Sequence, residues 1–119
     1  MLKLYNYSMP RAINSLQIPL PMQSVYMRYY CEKNKFLFTL PAVEICFKNS
    51  FYILRNLINN IPHNSHVCTS TINFLPYNDK IIFTTLLKDI KNKNITFHFP
   101  LENFIFEPDD FSVLNLFKH

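Results

Sequence analysis

Gln23-Ser24-Val25-Tyr26-Met27-Arg28-Tyr29-Tyr30-Cys31-Glu32-Lys33-Asn34-Lys35-Phe36-Leu37-Phe38-Thr39-Leu40 is the stretch on which the fold turns. Within residues 23–31, Val25, Met27, Tyr29 and Cys31 fall on one side of a period-two alternation, with Tyr26, Arg28 and Tyr30 on the other. That is the pattern of a half-buried strand. The polar Glu32-Lys33-Asn34-Lys35 parts it from a second β-like run, Phe36 to Leu40, so the stretch reads as a β-hairpin with a four-residue loop.

Outward from the hairpin, Pro41 suits a first helical position, and residues 42–48 read as one or two helical turns carrying Val43, Ile45, Cys46 and Phe47. Asn49 or Ser50 can cap a helix over residues 51–60, where Ile53, Leu54, Leu57, Ile58 and Ile61 recur at three- and four-residue spacing. The two helices admit a helix-turn-helix arrangement. Val67, Thr69, Thr71 and Ile72 make residues 66–75 a strand. Asn78 or Asp79 opens the clearest helix of the chain, with Ile82, Phe83, Leu86, Leu87 and Ile90 as its apolar stripe and Lys88, Lys91 and Lys93 near its negative end. Residues 94–99 read as a strand, residues 100–106 are ambiguous, and Asp109 or Asp110 caps a final short helix reaching Phe117. The expected fold class is α+β: a single domain over residues 1–119 with a β-hairpin, further short strands and three to four short helices. Residues 1–22 form an N-terminal arm with a short strand from Leu2 to Tyr7, interrupted by Pro10, Pro19 and Pro21, and residues 101–119 form an acidic, Phe-rich C-terminal segment.

Composition excludes more chemistry than it identifies. The chain has no glycine, so phosphate loops, the dinucleotide-binding fingerprint and the nucleophile elbow of hydrolases lack the residue their backbones need. Positions of positive φ fall to Asn and Asp, and Asn34, Asn59, Asn60, Asn92 and Asn94 stand where turns or helix ends are expected. Phe, Tyr, Asn, Ile and Lys together make 54 of the 119 residues, the bias that AT-rich codons produce, as in many viral genomes. Cys31, Cys46 and Cys68 have no paired spacing, which favours free thiols and an intracellular setting. No stretch has the length of a membrane span, and residues 1–7 develop no apolar signal-peptide core. Residues 1–100 carry eleven Lys and Arg against four acids, a net +7, whereas residues 101–119 carry four acids against Lys118, a net −3. A basic body of this kind is compatible with a polyanionic partner.

His63, His66 and Cys68 form a His-x-x-His-x-Cys cluster of zinc-type ligands, with Cys46 or His98 available as a fourth, but they do not form the paired knuckles of structural zinc sites. They read more simply as loop and strand residues, and no cofactor is expected. His98-Phe99-Pro100 supplies only half of the histidine motif of tyrosine-dependent nicking enzymes. Glu107, Asp109 and Asp110 could hold a divalent cation, although helix capping explains them with less. No catalytic set emerges. The remaining constellation is basic and aromatic: Tyr26, Arg28 and Tyr30 on one hairpin face, Lys33 and Lys35 at its tip, and Lys48 and Arg55 on the helices that follow. Cations that reach phosphates, beside rings that stack on bases, are what nucleic-acid surfaces use.

The order Val25-Tyr26-Met27-Arg28-Tyr29-Tyr30, charged tip, Lys35-Phe36-Leu37-Phe38-Thr39, Leu40-Pro41-Ala42-Val43-Glu44-Ile45-Cys46, and then a second helix and the His66-Val67 step resembles the Bro-N module of baculovirus repeated ORF proteins and phage antirepressors. The resemblance spans about residues 23–80. The family's Gly-containing turn is replaced by Phe47-Lys48-Asn49-Ser50. The resemblance implies non-catalytic DNA binding, with Arg28, Lys33, Lys35, Lys48 and Arg55 as phosphate contacts. The leading expectation is therefore a small viral or virus-like DNA-binding protein. The alternatives are a protein-interaction or virion-structural module, meeting a protein partner or a second copy through the aromatic run from Phe104 to Phe117, and a small metal-dependent nuclease.

Overall fold

A computed structural model describes residues 1–13 and 15–110. Helices and strands mix in one domain, as the sequence implies. Six strands form one sheet: β1 (Lys3–Ser8), β2 (Leu37–Phe38), β3 (Ala42–Val43), β4 (His66–Thr69), β5 (Thr96–Phe99) and β6 (Phe104–Phe106). Their spatial order is β2-β1-β4-β5-β6, with β3 also pairing with β1, and all pairings are parallel except that of β5 with β6. Three helices connect them: α1 (Leu20–Asn34), α2 (Tyr52–Asn60) and α3 (Lys80–Lys93).

β1 is an interior strand of the sheet, flanked by β2 and β3 on one side and β4 on the other, and not part of an N-terminal arm. Leu4, Asn6, Tyr7 and Ser8 are all buried, because an interior strand of a parallel sheet is covered on both faces. Leu4 faces Met27 and Cys31 of α1, together with Cys68 of β4. Tyr7 faces the larger core, which α2 and α3 build with Val67, Phe97 and Phe99. One helix therefore covers one face and two cover the other. Chain growth from β1 toward β2 runs through α1, and growth toward β4 and β5 runs through α2 and α3. A reversal of direction with crossovers of constant hand puts the helices on opposite faces.

The expected hairpin over residues 23–40 does not form. Residues 20–34 are one helix, and only Leu37 and Phe38 of the second run pair as a strand. Its buried positions, Gln23, Met27 and Cys31, are spaced by four, so they satisfy a period of two as well as a helical stripe. Val25 and Tyr29, which a strand would have buried with Met27, are 56% and 65% exposed. Proline shapes the start, since Pro21 occupies the first turn, where no intrahelical N–H partner is needed. The presumed hairpin tip is the last turn and its cap: Lys35 takes φ 61°, and its N–H and that of Phe36 both reach the Cys31 carbonyl.

Residues 42–48 are not helical either. Ala42–Val43 pairs with Tyr7 and Ser8 of β1 beyond a break at Pro41, so the helix-turn-helix is absent. The other elements form close to their expected places. Asp79 Oδ1 accepts the Ile82 N–H at 3.0 Å, capping α3, and Phe83, Leu86, Leu87 and Ile90 are its buried stripe. The strand expected over residues 66–75 stops at Thr69 and gives way to a 3-10 turn over Ile72–Phe74, where the Thr71 hydroxyl accepts the Asn73 N–H. The ambiguous stretch contains β6. The final helix expected to reach Phe117 lies outside the described residues apart from a 3-10 turn over Pro108–Asp110. Without glycine, four of the six described positive-φ positions are asparagines, Asn49, Asn64, Asn94 and Asn103, of which only Asn94 was among those singled out in the sequence.

Gln23 is a fully buried polar group on α1 whose amide binds both backbone groups of Met9, accepting its N–H at 2.9 Å and donating to its carbonyl at 2.7 Å. It also donates to the Ile18 carbonyl at 2.7 Å, fixing the whole β1–α1 connection. Gln23→Leu removes these partners and leaves buried backbone groups unpaired, so equilibrium urea unfolding is expected to show a loss of about 3 kcal/mol. A loss below about 0.5 kcal/mol would place Gln23 on a solvated face.

Candidate functional site

The carboxyl ends of parallel strands are where the connections of such a sheet diverge. β1 leaves toward α1 on one face and its neighbour β4 leaves toward α3 on the other. Ligands of open α/β sheets bind outside such a switch point. Here the connections after β1, β3 and β4 enclose an open cleft of about 480 Å³, with Arg11 and Ile13 from the first, Lys48 and Phe51 from the second, and Tyr77 and Asp79 from the third.

Glu44 lies behind the cleft and orders the β3–α2 connection that lines it. It is 3% exposed and accepts five hydrogen bonds: from Tyr7 Oη (2.9 Å) and the Leu54 N–H (3.2 Å) on Oε1, and from the Ile45 N–H (2.8 Å), Ser50 Oγ (3.1 Å) and the Ile53 N–H (3.2 Å) on Oε2. Two of these donors are first-turn amides of α2, so a carboxylate from outside the helix caps it, where Asn49 or Ser50 was expected to. Burial, and then the adjacent carboxylate, push the Tyr7 phenol far above its ordinary range and keep it a donor. Every short-range partner of Glu44 is structural, which makes it a scaffold residue.

Arg11 closes the wall on the cleft side. Nη2 donates to the Ser50 carbonyl at 2.7 Å and Nη1 to the Ile45 carbonyl at 3.3 Å, while the guanidinium lies 5.0 Å from the centre of the Phe51 ring. These bonds leave donors of the guanidinium fork over. Lys48 is exposed, and no described residue partners its ammonium group. Asp79, the acid in the lining, already has Oδ1 engaged in capping α3. Burial, and then Glu102, raise the Tyr77 hydroxyl well above its ordinary pKa, so it too stays protonated.

The expected nucleic-acid contacts divide between faces. Tyr26, Arg28, Tyr30, Lys33 and Lys35 all belong to α1 and its cap, whereas Lys48 lines the cleft and Arg55 lies on α2 across the sheet. Even on α1 they part: Arg28 stacks 4.3 Å over the Phe38 ring of β2, while Tyr26, Tyr30 and Lys33 line a pocket beside the β5–β6 turn. Of the aromatic segment expected to meet a protein partner, Phe104 is 54% exposed and stacks on Phe106, and the residues after Asp110 lie outside the described range.

His63, His66 and Cys68 do not converge. His63 is exposed in a turn, and Cys68 is buried beside Cys31, Leu4 and Met27. Among the described residues no group of three or more His, Cys, Asp or Glu could hold a metal ion. His66 instead meets His98 on the adjacent strand, Nδ1 to Nε2 at 2.8 Å, and His98 Nδ1 meets Tyr30 Oη at 2.6 Å. Phe36 packs edge-on over His98 at 5.1 Å. Burial, and then the neighbouring His66, lower His98 to about 4, whereas burial, and then the Cys68 and Cys31 thiols, push Tyr30 up to about 12. Sequence reading missed Arg11 and Glu44. The available signal was that Glu44 is the one acid between Glu32 and Asp79, in an apolar stretch.

His98 carries a pH dependence of definite sign. Its folded pKa of about 4 lies below the ordinary 6.5, so the contribution of the neutral ring is complete above pH 6.5 and is lost as pH falls toward 4. Unfolding free energy measured over this window should fall by up to about 1.4 kcal/mol per pH unit more steeply in the wild type than in His98→Gln. Parallel curves would show that the fold does not lower the pKa of His98. No protein-family model matches the chain, and no curated protein matches it.

Proposed function

We propose that this domain is a non-catalytic binding module for a small phosphorylated molecule, held in the cleft at the carboxyl edge of the sheet. One observation carries the reading: two cationic side chains, Arg11 and Lys48, flank the 480 Å³ space at the switch point of the sheet, and the acid beside them is engaged as a helix cap. Phe51 and Tyr77 add apolar wall, suiting a ligand with a ring or chain next to its phosphate. Arg11 offers a planar fork and Lys48 a mobile point charge, a pairing suited to a phosphate group. A duplex-binding surface would need Arg28, Lys33, Lys35, Lys48 and Arg55 on one side, and helices on opposite faces of the sheet separate them. The geometry therefore favours a small anion over the DNA reading.

Phenyl phosphate, which joins the two chemistries, is the probe. Calorimetric titration should give saturable binding, weakened at least about tenfold by Lys48→Ala with no change in thermal midpoint, because Lys48 is exposed. Absence of saturation below about 10 mM, or equal affinity of the variant, would contradict the reading.

A further inference from the structure

Across the sheet from the cleft, α1 and the β5–β6 turn enclose a second pocket of about 250 Å³. α1 packs against β1, β2 and β4, so the β5–β6 end of this face is less covered. Ile105, placed on the α1 side by its register with His98, is 53% exposed there. Tyr26, Tyr29 and Tyr30 line one side of the pocket at the three- and four-residue spacing that brings helix side chains together. Lys33 supplies the charge among the described residues that line it. Asn103, held at φ 55° in the turn, has no side-chain hydrogen-bond partner among the described residues, so its amide offers a donor and an acceptor together.

We propose that this pocket binds a mononucleotide, with its base against the tyrosines, its base edge on Asn103 and its phosphate on Lys33. Stacking on tyrosine suits any base because every base has a π face, and the pocket of about 250 Å³ has room for the base, with ribose and phosphate at its open rim beside Lys33. The Tyr30 hydroxyl adds a feature that a plain stacking platform lacks. It is hydrogen-bonded to His98, which is bonded in turn to His66, and the donor and acceptor roles along that chain follow the ring tautomers. The hydroxyl can thus act as donor or acceptor toward the base, with the change registered on ring nitrogens outside the pocket. This site is independent of the cleft, since it shares no lining residue with it.

The chain has seven Tyr and no Trp, so tyrosine emission reports occupancy directly. Adenosine monophosphate should quench it saturably, and Tyr29→Ala and Lys33→Ala, both exposed positions, should each weaken binding at least about tenfold while Lys48→Ala leaves it unchanged. The ring-nitrogen signals of His98 should shift with the same midpoint. Four results would overturn the proposal: no saturation below about 10 mM, quenching matched by inorganic phosphate alone, loss of binding on Lys48→Ala with Tyr29→Ala intact, or binding of a single-stranded oligonucleotide without binding of the mononucleotide.

Discussion

The Glu44 carboxylate is the interaction on which the rest of the structure depends. It joins β1 through Tyr7, the turn after β3 through Ile45 and Ser50, and the start of α2 through Ile53 and Leu54. These are three segments that apolar packing alone would bring close without fixing their register. A buried charge is costly unless its lone pairs are filled, and here five donors fill them. The same turn presents the Ile45 and Ser50 carbonyls to Arg11, so the cation of the cleft is aimed by the group that orders the wall behind it. The shape of the cleft is in this sense a consequence of one acid in an apolar stretch.

Much of the fold was legible where periodicity had a single interpretation. α3 has a cap, a five-residue stripe and lysines at its end, and all three agree. α2 and β5 lie within a few residues of their expected ranges, and β4 starts as expected at His66 but ends at Thr69. The stretch before residue 40 was misread because residues spaced by four are also spaced by two. Burial of Gln23, a polar residue, hid the helical stripe further, since its partners on Met9 and Ile18 become visible only in three dimensions. The strand Lys3–Ser8 was recognised, but its interior position was not, because sheet order depends on crossovers and not on local pattern.

The candidate site was less legible than the fold. Its lining comes from three connections separated by tens of residues, and no spacing rule links Arg11 to Lys48 or Tyr77. The basic and aromatic residues that the sequence brought to notice were grouped on the premise of a hairpin, and the helix redistributes them. His66 and His98 illustrate the same point, since strands β4 and β5 place them side by side although 32 positions separate them. The absence of glycine was informative in a narrower way, as asparagine took over most of the described left-handed positions.

Two surfaces of different character follow from one sheet: a cationic cleft at its carboxyl edge, and a tyrosine-lined pocket on the face that a single helix covers. Both depend on the parallel arrangement around β1, and the clamp formed by Glu44 is the most direct place to test it. First-turn amides of a helix ordinarily lack intrahelical partners and exchange readily with solvent. Native-state hydrogen exchange followed by NMR should instead show the Ile53 and Leu54 amides, with that of Ile45, protected to a degree comparable with the buried strand amides of Val67 and Phe97. Exchange of these three amides at the rate of unprotected loop amides would contradict the account.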